Sequence, residues 1–195
     1  MSARDAILRK VRESVEVKQQ FFEDHAEGIG RMCEAMAKRF RQGKKLFVMG
    51  NGGSACDALH VAVEFKHPII EKRRALAAEA LIADIATVSA ISNDLDFSKI
   101  FVHQLRLLSQ SDDMALAIST SGQSPNLIYA LEAARDRGMM TIAFTGKDGG
   151  RLQNFAEYCF IVPSFSIHRI QEVHATLIHA MWDMIHVALG EEDVI

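Results

Sequence analysis

The sequence predicts an α/β fold in which a parallel sheet is covered by helices on both faces, with a long helical segment ahead of it. Three observations carry that expectation. Short apolar runs of strand type recur around residues 47–49, 114–118, 140–144 and 158–162. They are apolar along their whole length, as strands buried on both faces must be, and stretches of helical period stand between them. Between residues 6 and 41, apolar side chains at Ile7, Val11, Val15, Phe22, Ala26, Ile29, Cys33, Met36 and Phe40 fall in steps of three and four, apart from one jump of seven. That is the spacing of one long amphipathic helix or two in sequence, with Gly28 and Gly30 as the place for a bend.

The bulk numbers narrow the class. A chain of 195 residues, 49% hydrophobic, suffices for one domain with a substantial core. A net charge of −3, from 22 basic and 25 acidic side chains, gives no general attraction to nucleic acid or to an anionic membrane, so the expected partner is small. Cys33, Cys56 and Cys159 are three, far apart and without paired spacing, which argues against a disulfide framework and a thiolate zinc site. A reducing cytoplasm fits. The charged, amphipathic start reads as neither a secretory signal nor a membrane span.

In chain order, the first informative stretch is residues 47–64. An apolar run breaks at Gly50-Asn51-Gly52-Gly53 and restarts at Ser54 as an alanine-rich helical pattern. Ser54 with Asp57 three positions on makes a capping signal, and the glycines let bare backbone approach an anion or a polar sugar. His60 and Glu64 are four apart, on one helical face, and suit a shared proton, metal or substrate. The plainer readings are a common strand-to-helix turn and a surface hydrogen bond.

Residues 66–74 form a basic, proline-marked connection, and 75–82 reads as a strand, with a helix as the alternative. A short helix over 84–92 ends at Asn93-Asp94, which serves as turn chemistry at the least, and a second helical stretch covers 96–109. The strand at 114–118 delivers the chain into Ser119-Thr120-Ser121-Gly122-Gln123-Ser124-Pro125. Ser124 then Pro125 reads as an N-cap with proline at the first helical position, and hydroxyls with free amides at a positive helix end make a phosphate cradle. Both loops leave strands at their carboxyl ends and can face one pocket. The final helix, 166–189, carries His168, Arg169, Gln171, Glu172, His174, His179 and His186. Gln171 and His179, eight apart, lie within roughly 80° of each other around the axis, though periodicity does not choose among the histidines.

Together, Gly50-Asn51-Gly52-Gly53-Ser54 with His60 and Glu64, Asn93-Asp94, the Ser119 to Ser124 loop, Thr145-Gly146-Lys147-Asp148-Gly149-Gly150, and Arg169-Ile170-Gln171-Glu172-Val173-His174 followed by His179 resemble the bacterial phosphoheptose isomerases of the sugar isomerase (SIS) superfamily. The match spans nearly the whole chain in order and spacing. It implies a three-layer SIS domain over residues 1–195 with a five-stranded parallel sheet. Residues 1–42 are then a helical extension used in oligomerisation and 43–195 the α/β core. It further implies a homotetramer with sites shared between subunits, and one zinc ion per subunit. The implied reaction converts sedoheptulose 7-phosphate to D-glycero-D-manno-heptose 7-phosphate, toward lipopolysaccharide and other surface polysaccharide.

By the same resemblance the zinc ligands match His60, Glu64, Gln171 and His179. Substrate contacts match Asn51, Gly52, Gly53, Asn93, Asp94, Ser119, Thr120, Ser121 and Ser124, with Glu64 and Gln171 again, and Ser54 closes the first loop. An aldose–ketose interconversion through an enediol needs a base near one carbon and an acid near the carbonyl oxygen. The resemblance gives Glu64 as base and His179 as acid. Two departures stand out: His168 where some relatives carry an acid, and a stretch over 76–81 without the family strand's proline and continuous apolar pattern. Two rivals remain. One is a tetrameric adaptor of the same superfamily that binds the replication initiator but has no histidine matching His179. The other is an isomerase acting on a different ketose phosphate.

Overall fold

The computed structural model describes residues 1–69 and 72–193. The chain opens with helix α1 (Ala3–Arg41), then runs β1 (Leu46–Gly50), α2 (Gly53–Lys66), β2 (Ala78–Ala80), α3 (Ile85–Asp94) and α4 (Ile100–Leu108). It continues through β3 (Met114–Ile118), α5 (Pro125–Asp136), β4 (Met140–Gly146), β5 (Tyr158–Val162) and α6 (Ile167–Ala188). All pairings in the five-stranded sheet are parallel, in the order β2-β1-β3-β4-β5.

The sheet divides two cores, and strand alternation decides which side chain enters which. Leu46, Val48, Met114, Leu116, Ile118, Ile142 and Phe144 face α1, α2 and α6. Phe47, Met49, Ala115, Ala117 and Ala143 face α3, α4 and α5. A strand with a two-residue period must feed both layers, which is why the strands read as unbroken apolar runs. The chain leaves β1 outward to β2 and then crosses back to β3 on the other side of β1. At such a reversal the loops after neighbouring strands diverge onto opposite faces and open a crevice at the carboxyl edge.

Several local expectations resolve here. The segment at 75–82 is a strand, reduced to three residues at the sheet edge, paired as Leu46 with Ala78 and Val48 with Ala80. The helix expected over 84–92 extends through Asn93 and Asp94, and the stretch at 96–109 begins as a 3-10 turn, Phe97–Lys99, before α4. Helix α1 is one unbroken helix, closed at its start by a Ser2/Asp5 capping box. Gly28 does not break it, and a Cβ there would meet the Phe160 ring at 3.3 Å, so the glycine lets α1 lie close on β5. The Ser54/Asp57 cap does not form. The N-cap of α2 is Gly52, in a positive-φ conformation with no side-chain cap bond, and Ser54 is instead buried in the first turn. The connection expected over 66–74 contains residues 70 and 71, which lie outside the described residues.

The first half of α1 is held without a core. Arg169 donates to the Lys10 carbonyl at 2.5 Å and Ser14 donates to Glu172 at 2.6 Å, while Ile7, Leu8, Val11 and Val15 stay exposed. Burial begins in earnest at Phe21 and continues through Ile29, Met32, Met36 and Phe40.

His174 lies fully buried on α6, its Nε2 at 3.1 Å from the Thr145 carbonyl at the end of β4. Burial pushes its pKa down to about 4, with the Thr145 contact opposing. The unfolded chain therefore binds a proton that the folded chain refuses. The stability gained by keeping the ring neutral is complete above the ordinary histidine value and is lost as pH falls from there toward 4. A drop of this size corresponds to about 3 kcal/mol. Denaturant titrations across pH 7.5 to 4.5 are expected to show this acid loss in the native chain and a flatter limb in His174→Gln.

Candidate active site

The crevice at the carboxyl edge is built by three helix N-termini and two loops. Helix α2 starts directly after β1, α5 starts after the loop leaving β3, and α6 starts after β5. Residues at all three N-termini line one cavity, and unpaired first-turn amides with the positive end of the helix dipole favour an anion there. The cavity, of about 230 Å³, is lined by Asn51, Gly53, Ser54, Ser119, Thr120, Ser121, Ser124 and Gln171, with Ile118 and Ile167. The two loops expected to share a pocket do share this one.

Within it the hydroxyls are ordered by the backbone. Ser119 Oγ accepts from the Gly122 amide at 3.1 Å and Ser121 Oγ from the Gln123 amide at 3.3 Å. Ser124 is the N-cap residue of α5, with Pro125 in the first turn, but its side chain makes no cap bond. That leaves the hydroxyl for a ligand. Gly122 has φ +61° and a Cβ on it would sit 2.0 Å from the Gly149 carbonyl oxygen, so this loop rests backbone to backbone on the 146–150 turn. Gly53 is equally constrained by its neighbour: a Cβ would lie 2.2 Å from Gln171 Nε2. The bare α-carbon admits the Gln171 amide to the rim of the cavity.

A residue to which the sequence reading gave no role locks the two loops together. Asn126, 2% exposed, exchanges a pair of side-chain amide hydrogen bonds with Asn51 at 2.9 and 2.8 Å. Its Oδ1 also accepts from the Leu127 amide at 3.0 Å. The signal in the sequence was an asparagine just inside a helix start, which local pattern reads as turn chemistry. Its partner is 75 positions away.

Two helical turns along α2 and α6 from the cavity lies the second half of the site. His60 Nε2 is 3.3 Å from Glu64 Oε1 and 3.2 Å from His179 Nε2, and the two rings meet edge to face at 4.9 Å between centroids. One ligand atom from each of His60, Glu64 and His179 lies within 4.8 Å of the others. Two imidazoles and a carboxylate are the donor set of three-ligand zinc sites that keep an open position, so these residues fit such an ion. His60 and Glu64 are half-buried and His179 is exposed. Behind them Asp57, one turn before His60, has a buried Oδ2 without a partner among the described residues. Burial pushes its pKa up, and His60 opposes.

Not every residue singled out in the sequence converges. Gln171 lines the cavity with the serine loop, which the histidine–carboxylate cluster does not. Asn93 and Asp94 sit exposed at the end of α3, where Asn93 Nδ2 donates to Asp94 Oδ1 at 2.8 Å, and they do not line the cavity. Gly52 is exposed at the tip of the first loop and His168 is exposed at the start of α6.

Comparisons with known proteins give the chain its family. Residues 11–146 match the SIS domain family. A phosphoheptose isomerase of Thermodesulfovibrio yellowstonii is 44% identical over 98% of this chain and 95% of its own length, and one of Aquifex aeolicus is 43% identical over 96% and 98%. Among solved structures, a phosphoheptose isomerase from Francisella tularensis superposes with a TM-score of 0.91 at 35% identity, covering 96% of this chain and all of the other. Phosphoheptose isomerase GmhA from Neisseria gonorrhoeae gives 0.88 at 37% identity, covering 94% and 98%. With the parallel sheet, the loops meeting at its carboxyl edge and these relatives in place, the chain belongs to the SIS-domain family, among the phosphoheptose isomerases.

Proposed function

We propose that this protein is an aldose–ketose isomerase that converts D-sedoheptulose 7-phosphate to D-glycero-D-manno-heptose 7-phosphate. The observation that carries the reading is the two-ended site. A hydroxyl and amide cradle suited to a phosphoryl group lies at one end, and an imidazole–carboxylate cluster lies at the other. Gln171 and His179 are eight residues apart on α6, about 12 Å of helix. A long sugar phosphate held by its phosphate in the cradle can extend its far carbons toward the cluster. The names of the relatives favour an isomerase over an adaptor for the replication initiator.

In this reading Ser119, Thr120, Ser121 and Ser124 hold the phosphate with the first amides of α5. Asn51, Gly52, Gly53 and Ser54 shape the opposite wall, and Gln171 orients the chain of hydroxyls. The Glu64 carboxylate takes a proton from C1 of the ketose and returns it to C2. The His179 imidazole gives a proton to O2 and takes the one on O1, so the enediol forms and collapses without net change in oxidation. His60 holds Glu64 from one helical turn away. His60, Glu64 and His179, with Gln171 as the fourth donor, would hold a zinc ion. When bound, that ion would supply Lewis-acid polarisation of a sugar oxygen. Asn93 and Asp94 belong to the substrate set of this proposal by family pattern, and in a shared site they would serve from the exposed end of α3.

The proposal extends to a homotetramer in the cytoplasm, composed of single domains over 1–195 that associate through residues 1–42. The exposed Ile7, Leu8, Val11 and Val15 on α1 support association, since an apolar stripe of this kind is normally covered. Three free cysteines support a reducing compartment.

Glu64→Gln keeps the volume and removes the base, and is expected to lower kcat with sedoheptulose 7-phosphate by about 10²-fold or more while the far-ultraviolet spectrum stays unchanged. Turnover by that variant at the native rate would remove Glu64 from the chemistry. Chelation is expected to lower turnover and added zinc to restore it. Val11→Lys combined with Val15→Lys is expected to yield a smaller species in light scattering.

A further inference from the structure

The chain contains one tryptophan, Trp182, and it fastens together the two helices that carry the cluster. Its Nε1–H donates to the Glu64 carbonyl oxygen at 3.0 Å. That oxygen lies in the last turn of α2, where the usual donor would be the amide four residues on. The residue four on is Pro68, which has no amide hydrogen. The indole therefore supplies a donor that the backbone lacks, and supplies it from α6, one turn beyond His179.

The indole is itself held. The Arg73 guanidinium stacks over it at 4.6 Å from the ring centroid. Arg73, its side chain 2% exposed, pairs with Asp183 at 2.5 Å and donates to the Glu192 carbonyl at 3.2 Å. The His186 ring packs against it at 4.7 Å between centroids. A buried guanidinium paired on an adjacent residue is costly to move, because any shift leaves a charge without its counterion. The residue whose carbonyl is gripped is also the residue whose carboxylate meets His60.

We propose that Trp182 and Arg73 are positioning residues for the cluster. Trp182 fixes the backbone of Glu64, and with it the aim of the carboxylate toward His60 and His179, while Arg73 fixes the indole. The inference rests on reading that cluster as the reacting end of the site.

Trp182→Phe keeps most of the aromatic volume and removes only the N–H donor. In the chelator-treated protein, isothermal titration with Co²⁺ is expected to give an affinity about tenfold weaker than native, with a shifted visible Co²⁺ band. In the zinc-loaded enzyme, kcat with sedoheptulose 7-phosphate is expected to fall about tenfold with KM within about twofold, because a misaimed group costs rate more than binding. A merely structural role would lower the unfolding temperature and leave both readings alone. Arg73→Lys, which keeps the charge and loses the flat stack, is expected to shift both readings the same way by less, and it carries the test should Trp182→Phe not fold. Native Co²⁺ affinity and native kcat in either folded variant would overturn the proposal. A native protein that binds Co²⁺ without turning over the sugar would sink the isomerase reading alone, and the ratio of Co²⁺ affinities would still decide the role of Trp182. A native protein that does neither would overturn both.

Discussion

Side-by-side packing of α2 and α6, running in the same direction over one face of the sheet, is the constraint on which the site depends. Gly53 meets Gln171 at one end, His60 meets His179 in the middle, and the Glu64 carbonyl meets Trp182 at the other. Because both helices rise at the same rate, a match at one level enforces matches one and two turns further on. A methyl group at Gly53 would displace the amide end of the Gln171 side chain.

The apolar core makes that register possible and leaves little freedom to adjust it. Val61, Ala62 and Phe65 of α2 and Ile170, Val173, Leu177, Ile178 and Met181 of α6 are buried in the same core as α1. Close-packed interiors resist small shifts. Polar side chains bond across the sheet order: Asn51 with Asn126, and Gln104 with the Leu81 carbonyl. Each ties a loop to a helix from another unit. An unpaired buried polar group is expensive, so these bonds select one arrangement of the carboxyl-edge loops.

The division of labour in the site follows from where charge is useful. Helix N-termini give the cavity positive potential without lysine or arginine in its lining. His60, Glu64 and His179 stand apart from that cavity, further along α2 and α6. That separation supports the proposed reading, in which the charged group and the reacting carbons of the substrate lie at opposite ends.

Sequence alone determined the strands, because runs of buried residues, short and bounded by turn chemistry, have few other interpretations. It determined the two loops at the carboxyl edge, because glycines and hydroxyls there announce backbone exposed to a ligand. It also placed His60 with Glu64, since four residues on a helix is a contact by geometry. Tertiary structure decided which of the histidines on α6 joins them, for a 3.6-residue period leaves several candidates until the neighbouring helix is in place. It decided that Ser54 is buried and not a cap, that α1 runs unbroken past Gly28, that Asn126 bonds Asn51, and that Trp182 bonds the Glu64 carbonyl. Each of those outcomes turns on a partner dozens of residues away, such as Phe160 for Gly28 or Glu64 for Trp182, and long-range proximity is a property of the packed chain that no local pattern encodes.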